Sequence, residues 1–387
     1  MTLRTSILAA TTLATALAAG APALAEDFTI GLATAQTGGL AFVDQPSLQG
    51  FQLAVEEINA NGGLAGKHKI VLDIKDTRSD TAATVQAAQE LVAAGVKVLI
   101  TPCDADPSIA AGQISQPAQI PSFTFCGTTP TIPSAVGDYM FGTYPADNAQ
   151  AALLADYAVE KGYKTAYVLK SPDTAYTLKL PEYFAEVFQK KGGTIAGEGT
   201  YALGQQDFSA EVTKIKGLDP QPDVVMTAAY EPDFPAFIKQ LRSAGITSAV
   251  LGSDGVDSPT TLGLGSDVDG LVHTTAGFPS EGSGVAAFFE KWKAKTGAAP
   301  ETIYIATGYE IPFIIDAAVT AAGGATDGPT LRDAIANLKD VPLVTGKVTY
   351  AGTNRMPSRD ITLVEVRGGA RTLVKTATPD PADVPAP

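Results

Sequence analysis

The feature that most limits what this chain can fold into is an alternation of strand and helix that runs through it twice. Residues 28–33 form a short β-branched run that reads as a buried strand. Leu48, Phe51, Val55 and Ile58 then recur at spacings of three and four, which places them on one helical face, and Asn61-Gly62-Gly63 ends that helix. Residues 69–75 predict a second strand, 81–94 a helix with Val85, Leu91 and Val92 inward, and 96–101 a third strand after the stop at Gly95. Strand, helix, strand, helix, strand predicts a parallel sheet with right-handed crossovers.

Residues 108–119 predict a further helix, with short strands at 121–125 and 139–143. From Asn148 the rhythm restarts, with strands at 165–169, 194–201, 223–227 and 249–252 separated by helices at 176–191, 208–216 and up to 244. A strand at 270–275 follows, then helices at 285–296, 303–322 and 330–338, and late strands at 346–350 and 360–366. Two α/β series predict two doubly wound lobes. Residues 378–387 carry four Pro and no apolar period and read as disordered, so the last boundary is set at 377–387. At the other end, Arg4, the Ala-rich apolar run 7–19 and Ala23-Leu24-Ala25 together predict a secretory signal peptide over 1–25, with no Cys after it to carry a lipid.

The chain has 27 Lys plus Arg against 41 Asp plus Glu, a net charge of −14, and no basic run, which excludes nucleic acid and anionic membrane as expected partners. Residues 61–67 contain three Gly before Lys67, but the spacing is wrong for a phosphate loop, His68 follows instead of Ser or Thr, and the segment lies between a helix and a strand rather than the reverse. Gly263-Leu264-Gly265 lacks the third Gly of a dinucleotide fingerprint. His68 and His273 have no ligand partners at zinc spacing, and there is no G-x-S-x-G elbow. No catalytic residue, metal or cofactor is therefore expected, and a hydrolase using Thr or Ser lacks an identifiable base.

Doubly wound domains bind ligands beyond the carboxyl ends of their strands, where backbone N–H groups point outward. Those positions hold Gln36, Thr37, Gly38, Gly39 and Phe42 after the first strand, Pro102 to Asp106 after the third, and Cys126, Gly127, Thr128 and Thr129 after the fourth. The second series contributes residues 171–176, Tyr230-Glu231 and Ser253-Asp254-Gly255. Any single Thr or Asp there can be a helix cap and any Tyr can be packing. The set as a whole has the composition of a crevice for a small polar organic molecule.

Phe28-Thr29-Ile30-Gly31 with its Thr-Gly loop, Gln49-Gly50, the run from Ala54 to Gly66 (AVEEINANGGLAG), Asp207-Phe208-Ser209 and Leu241 to Gly245 (LRSAG) together resemble the leucine/isoleucine/valine-binding proteins of ABC importers. The resemblance implies a type I periplasmic-binding fold: an N-terminal lobe of 26–144 plus 276–346, and a C-terminal lobe of 145–275 plus 347–376, joined by three crossovers and closing like a clamp. It also implies a monomer in the periplasm that passes an amino acid or related small polar ligand to an ABC transporter permease. A sensor docking on a signalling receptor, and an amine, amide or aromatic acid as ligand, remain the alternatives. By position, Asp104 falls where the family has a Ser beside the ligand carboxylate, Cys126 and Thr128 match contacts to the ligand, Tyr176 and Tyr230 match aromatic clamps, and Asp254 replaces the Glu that pairs with the ammonium. The expected ligand-binding set is Phe42, Cys103, Asp104, Cys126, Gly127, Thr128, Tyr176, Tyr230, Glu231 and Asp254. Cys103 and Cys126, at the ends of neighbouring expected strands in an oxidising compartment, are expected to form a disulfide.

Overall fold

The computed structural model describes residues 27–387, so the expected signal peptide lies outside the described residues. Five parallel strands form the first sheet: β1 (Phe28–Thr34), β2 (Ile70–Asp76), β3 (Val98–Thr101), β4 (Ser122–Thr124) and β5 (Met140–Phe141). Their spatial order is β2-β1-β3-β4-β5, and every pair is parallel. The chain leaves β1 to one side for β2 and returns to the other for β3, so the order reverses between β1 and β3 and a crevice opens at their carboxyl ends.

The second sheet takes β6 (Thr165–Lys170), β7 (Thr194–Thr200), β8 (Val224–Thr227), β9 (Ala249–Gly252) and β10 (Val272–Thr275) in parallel. A small hairpin, β11 (Val341–Leu343) and β12 (Gly346–Val348), precedes two last strands, β13 (Ile361–Arg367) and β14 (Ala370–Ala377). These join the second sheet antiparallel at its edge, giving the order β14-β13-β10-β9-β8-β6-β7. The reversal between β6 and β8 creates the matching crevice. No helix among the described residues is long and apolar enough to cross a membrane.

Helix α1 (Ala41–Ala60) buries the face carrying Leu48, Phe51, Val55 and Ile58, as its period predicts. It packs against the helix Tyr304–Ala321 with no side chain between them at two points. A Cβ at Gly50 would lie 1.9 Å from the Ile305 carbonyl oxygen, and one at Gly308 would lie 2.0 Å from that of Ser47. Only glycine permits this approach. The later segment is thereby locked onto the first lobe, with Tyr304 at the cleft edge.

Two expectations are corrected here. Val348 and Tyr350 are buried in the first core, so the last passage between lobes falls beyond Tyr350 rather than at 346/347. Residues 377–387 are not a loose tail: Asn148 Nδ2 donates to the Pro385 carbonyl at 2.8 Å, Lys191 pairs with Asp383 at 2.6 Å, and Val384 packs on the second core. A Pro-rich segment has no period of its own, yet it can dock as a strap against a surface formed elsewhere.

Candidate ligand-binding site

The site is assembled at the facing strand ends. After β1 the chain turns at Thr34-Ala35 into α1, whose first turn carries Asp44. This fully buried carboxylate accepts from Ala35 N at 2.6 Å, from Thr34 Oγ1 at 3.3 Å and from Cys103 N at 2.9 Å, so it ties the ends of β1 and β3 together. Burial pushes its carboxyl up to about 7, against the pull of the Ala35 and Cys103 N–H groups. Beyond β3, Asp104 caps the helix Ala105–Ser115 by accepting from Ala105 N at 2.8 Å. Burial raises this carboxyl to about 6.

Cys103 and Cys126 stand at the ends of β3 and β4 with Cα atoms 4.5 Å apart and their sulfurs bonded. After β4, Thr129 Oγ1 donates to Asp147 Oδ2 at 2.9 Å. Asp147 is fully buried in the first turn of the helix Asp147–Glu160, its Oδ1 has no donor, and burial together with the charge of Asp254 raises its carboxyl to about 8.

From the second lobe, Thr174 caps the helix Ala175–Lys190 and so presents Tyr176 in its first turn. The Tyr176 hydroxyl lies 3.2 Å from Asp254 Oδ1, shares a hydrogen bond with Ser253 Oγ, and accepts from Gly255 N at 2.9 Å. Tyr304 reaches over from the first lobe and donates to the Asp254 carbonyl at 2.8 Å. Asp254 is thus held from both lobes. Burial raises its carboxyl to about 6, and Gln150, Tyr176 and Tyr304 oppose the rise. The Tyr176 and Tyr304 hydroxyls are pushed well above the usual phenol range by burial and by Asp254. Phe42 stacks on Tyr230 across the cleft with centroids 6.3 Å apart, and Tyr176 lies 6.0 Å from Tyr230.

These groups surround a small cavity between the lobes. Of the expected residues, Phe42, Cys103, Asp104, Cys126, Thr128, Tyr176, Tyr230 and Asp254 line it. Gly127 and Glu231 do not. The Gly127 N–H is spent on Thr124 Oγ1 at 2.8 Å, and a Cβ there would lie 3.0 Å from Ile132 Cδ1 and from the Cys103 carbonyl oxygen. Leu40, Val43, Ala105, Thr129, Gly255 and Tyr304 complete the wall. Ala105, Thr129 and Gly255 are among the strand-end positions that the sequence reading names, outside the expected ligand-binding set. Tyr304 carries no local signal, because only the packing at Gly50 and Gly308 brings it here. No group of three His, Cys, Asp or Glu side chains among the described residues gathers as a metal site, so the acids are spread round the cavity rather than focused on a point.

The profile of a family described as periplasmic binding protein matches residues 27–371. A Leu/Ile/Val-binding protein of Rhizobium johnstonii is 27% identical over 350 residues, covering 90% of this chain and 94% of the relative. Among solved structures, a leucine-binding protein from Thermotoga maritima superposes with a TM-score of 0.83 at 24% identity, covering 91% of this chain and 99% of that one. A solute-binding protein of an ABC transporter from R. palustris, in complex with benzoate, gives a TM-score of 0.80 at 20% identity, covering 91% and 97%.

Proposed function

This chain belongs to the periplasmic binding protein family, and from that premise we propose that it is the solute-receiving component of an ABC importer, holding a small polar organic molecule, an amino acid or related compound, between its lobes. The observation that carries the reading is a cavity whose wall is drawn from both lobes, with Phe42, Asp104 and Thr128 on one side and Tyr176, Tyr230 and Asp254 on the other. A ligand in such a place favours the form in which the lobes meet, and a permease can then read that form as the loaded state. Under this reading residues 1–25 direct export to the periplasm, and the eight expected residues that line the cavity contact the ligand. The polar groups of Asp254, Tyr176 and Thr128 set its orientation while the aromatic rings cover it.

The test has two parts. A thermal-shift screen of amino acids, amines, amides and aromatic acids should find compounds that raise the melting temperature, since a ligand that binds only the folded chain stabilises it. Deletion of the gene should then abolish uptake of the labelled hit. Retained uptake with loss of a response to the compound would instead favour a sensor that docks on a receptor.

A further inference from the structure

We infer that the solute taken by this cavity is a small organic cation with no carboxylate, an amine whose far end presents N–H donors to Asp104. The inference rests on the solute-binding reading above and narrows it to one charge class. The titratable carboxylates in the wall are Asp104 and Asp254, and the wall contains no Lys, Arg or His to meet an anion.

Three backbone donors near the Asp104 end of the cavity, Ala105 N, Cys103 N and Gly127 N, are already engaged within the protein. A helix N-terminus is a natural anion site, but the first N–H of the helix Ala105–Ser115 is bonded to the carboxylate of Asp104 itself. Cys103 N is taken by Asp44, and Gly127 N by Thr124. A ligand carboxylate arriving at this end would meet Asp104, a like charge. An ammonium or amide N–H₂ would meet an acceptor.

At the other end Asp254 is the natural counter-ion of an ammonium. Asp147 is fully buried in the first turn of the helix Asp147–Glu160 and accepts from Thr129 Oγ1 at 2.9 Å. Burial raises the Asp147 carboxyl to about 8, so at neutral pH it is mainly protonated, and Asp254 is the charge that a cation meets at this end. Between the two ends, Phe42, Tyr176, Tyr230 and Tyr304 supply aromatic faces and edges, and ring faces attract organic cations.

Two matched pairs test the assignment by calorimetry and thermal shift on the exported chain at neutral pH: 1,4-diaminobutane against 4-aminobutanoate, and leucinamide against leucine. Each pair keeps the length and changes only the far end. At least one amine should bind, and at least tenfold more tightly than its acid partner. Asp104→Asn keeps a residue suited to capping the helix, so its melting temperature serves as the check on folding; it should weaken the amine at least tenfold and narrow or reverse the preference. An acid that binds as well as its amine partner overturns the inference and leaves the solute-binding reading standing. Binding of neither member of either pair overturns it too, and if the wider screen is also empty the solute-binding reading falls with it. Unchanged amine affinity in a folded Asp104→Asn overturns the role of Asp104.

Discussion

Asp44, Asp104, Asp147 and Asp254 are carboxyl groups that the fold has moved out of water, and for each the ordinary value of 3.8 is raised chiefly by burial, to between about 6 and about 8. Each holds its proton more tightly folded than unfolded. Between pH 4 and 8 the native chain therefore binds more protons than the unfolded chain, and the sign of the linkage makes stability fall as pH rises. The depressed surface carboxyls, such as Asp76, Asp223 and Asp383, act oppositely but only in acid, where stability is lost as pH falls through their folded values. The melting temperature should thus be highest near pH 5 and decline toward pH 8, each titrating carboxyl contributing at most about 1.4 kcal/mol per pH unit. Asp147→Asn should flatten the decline. Melts of both proteins across that range check this, and identical slopes would remove Asp147 from the account.

Among the elements, the passages between lobes are joined by one buried ion pair. Arg359, just before β13, meets Glu310 of the helix Tyr304–Ala321 at 2.7 Å, with both side chains almost fully buried. The same guanidinium donates to the Thr143 carbonyl and to Thr345 Oγ1, and Glu310 Oε1 accepts from Thr345 N at 2.6 Å. Tyr144 accepts from Ala276 N at 3.0 Å beside it. Removing one member of a buried pair strands the other, so Arg359→Ala should cost about 3–5 kcal/mol in urea unfolding. Replacing both charges, as in Arg359→Met with Glu310→Leu, should cost clearly less than Arg359→Ala alone. A single variant that unfolds like the parent would show that the pair contributes nothing to the hinge.

For the molecule as a whole, each lobe has its own sheet and core, and the contacts across the cleft at the site include Tyr304 on Asp254, Phe42 on Tyr230 and Thr129 on Asp147. Bodies so divided can rotate about their connections without repacking. Small-angle scattering should show the radius of gyration decreasing when a bound solute is added. Equal radii in both states, with binding verified by calorimetry, would reject the clamp.

The two α/β series, the helical face of Leu48, Phe51, Val55 and Ile58, and most of the cavity wall were legible in the chain because they are local: period sets the element, and strand ends set where loops point. Tyr304, the docked strap at 377–387 and the place of the last passage between lobes were not, because each depends on partners more than a hundred residues away in sequence or on a backbone approach that no periodic pattern encodes. The carboxylates show the same division. Sequence alone placed Asp104 and Asp254 at strand ends, but only the tertiary structure, by bringing the two lobes together, decided that they share one cavity whose wall has no cation of its own.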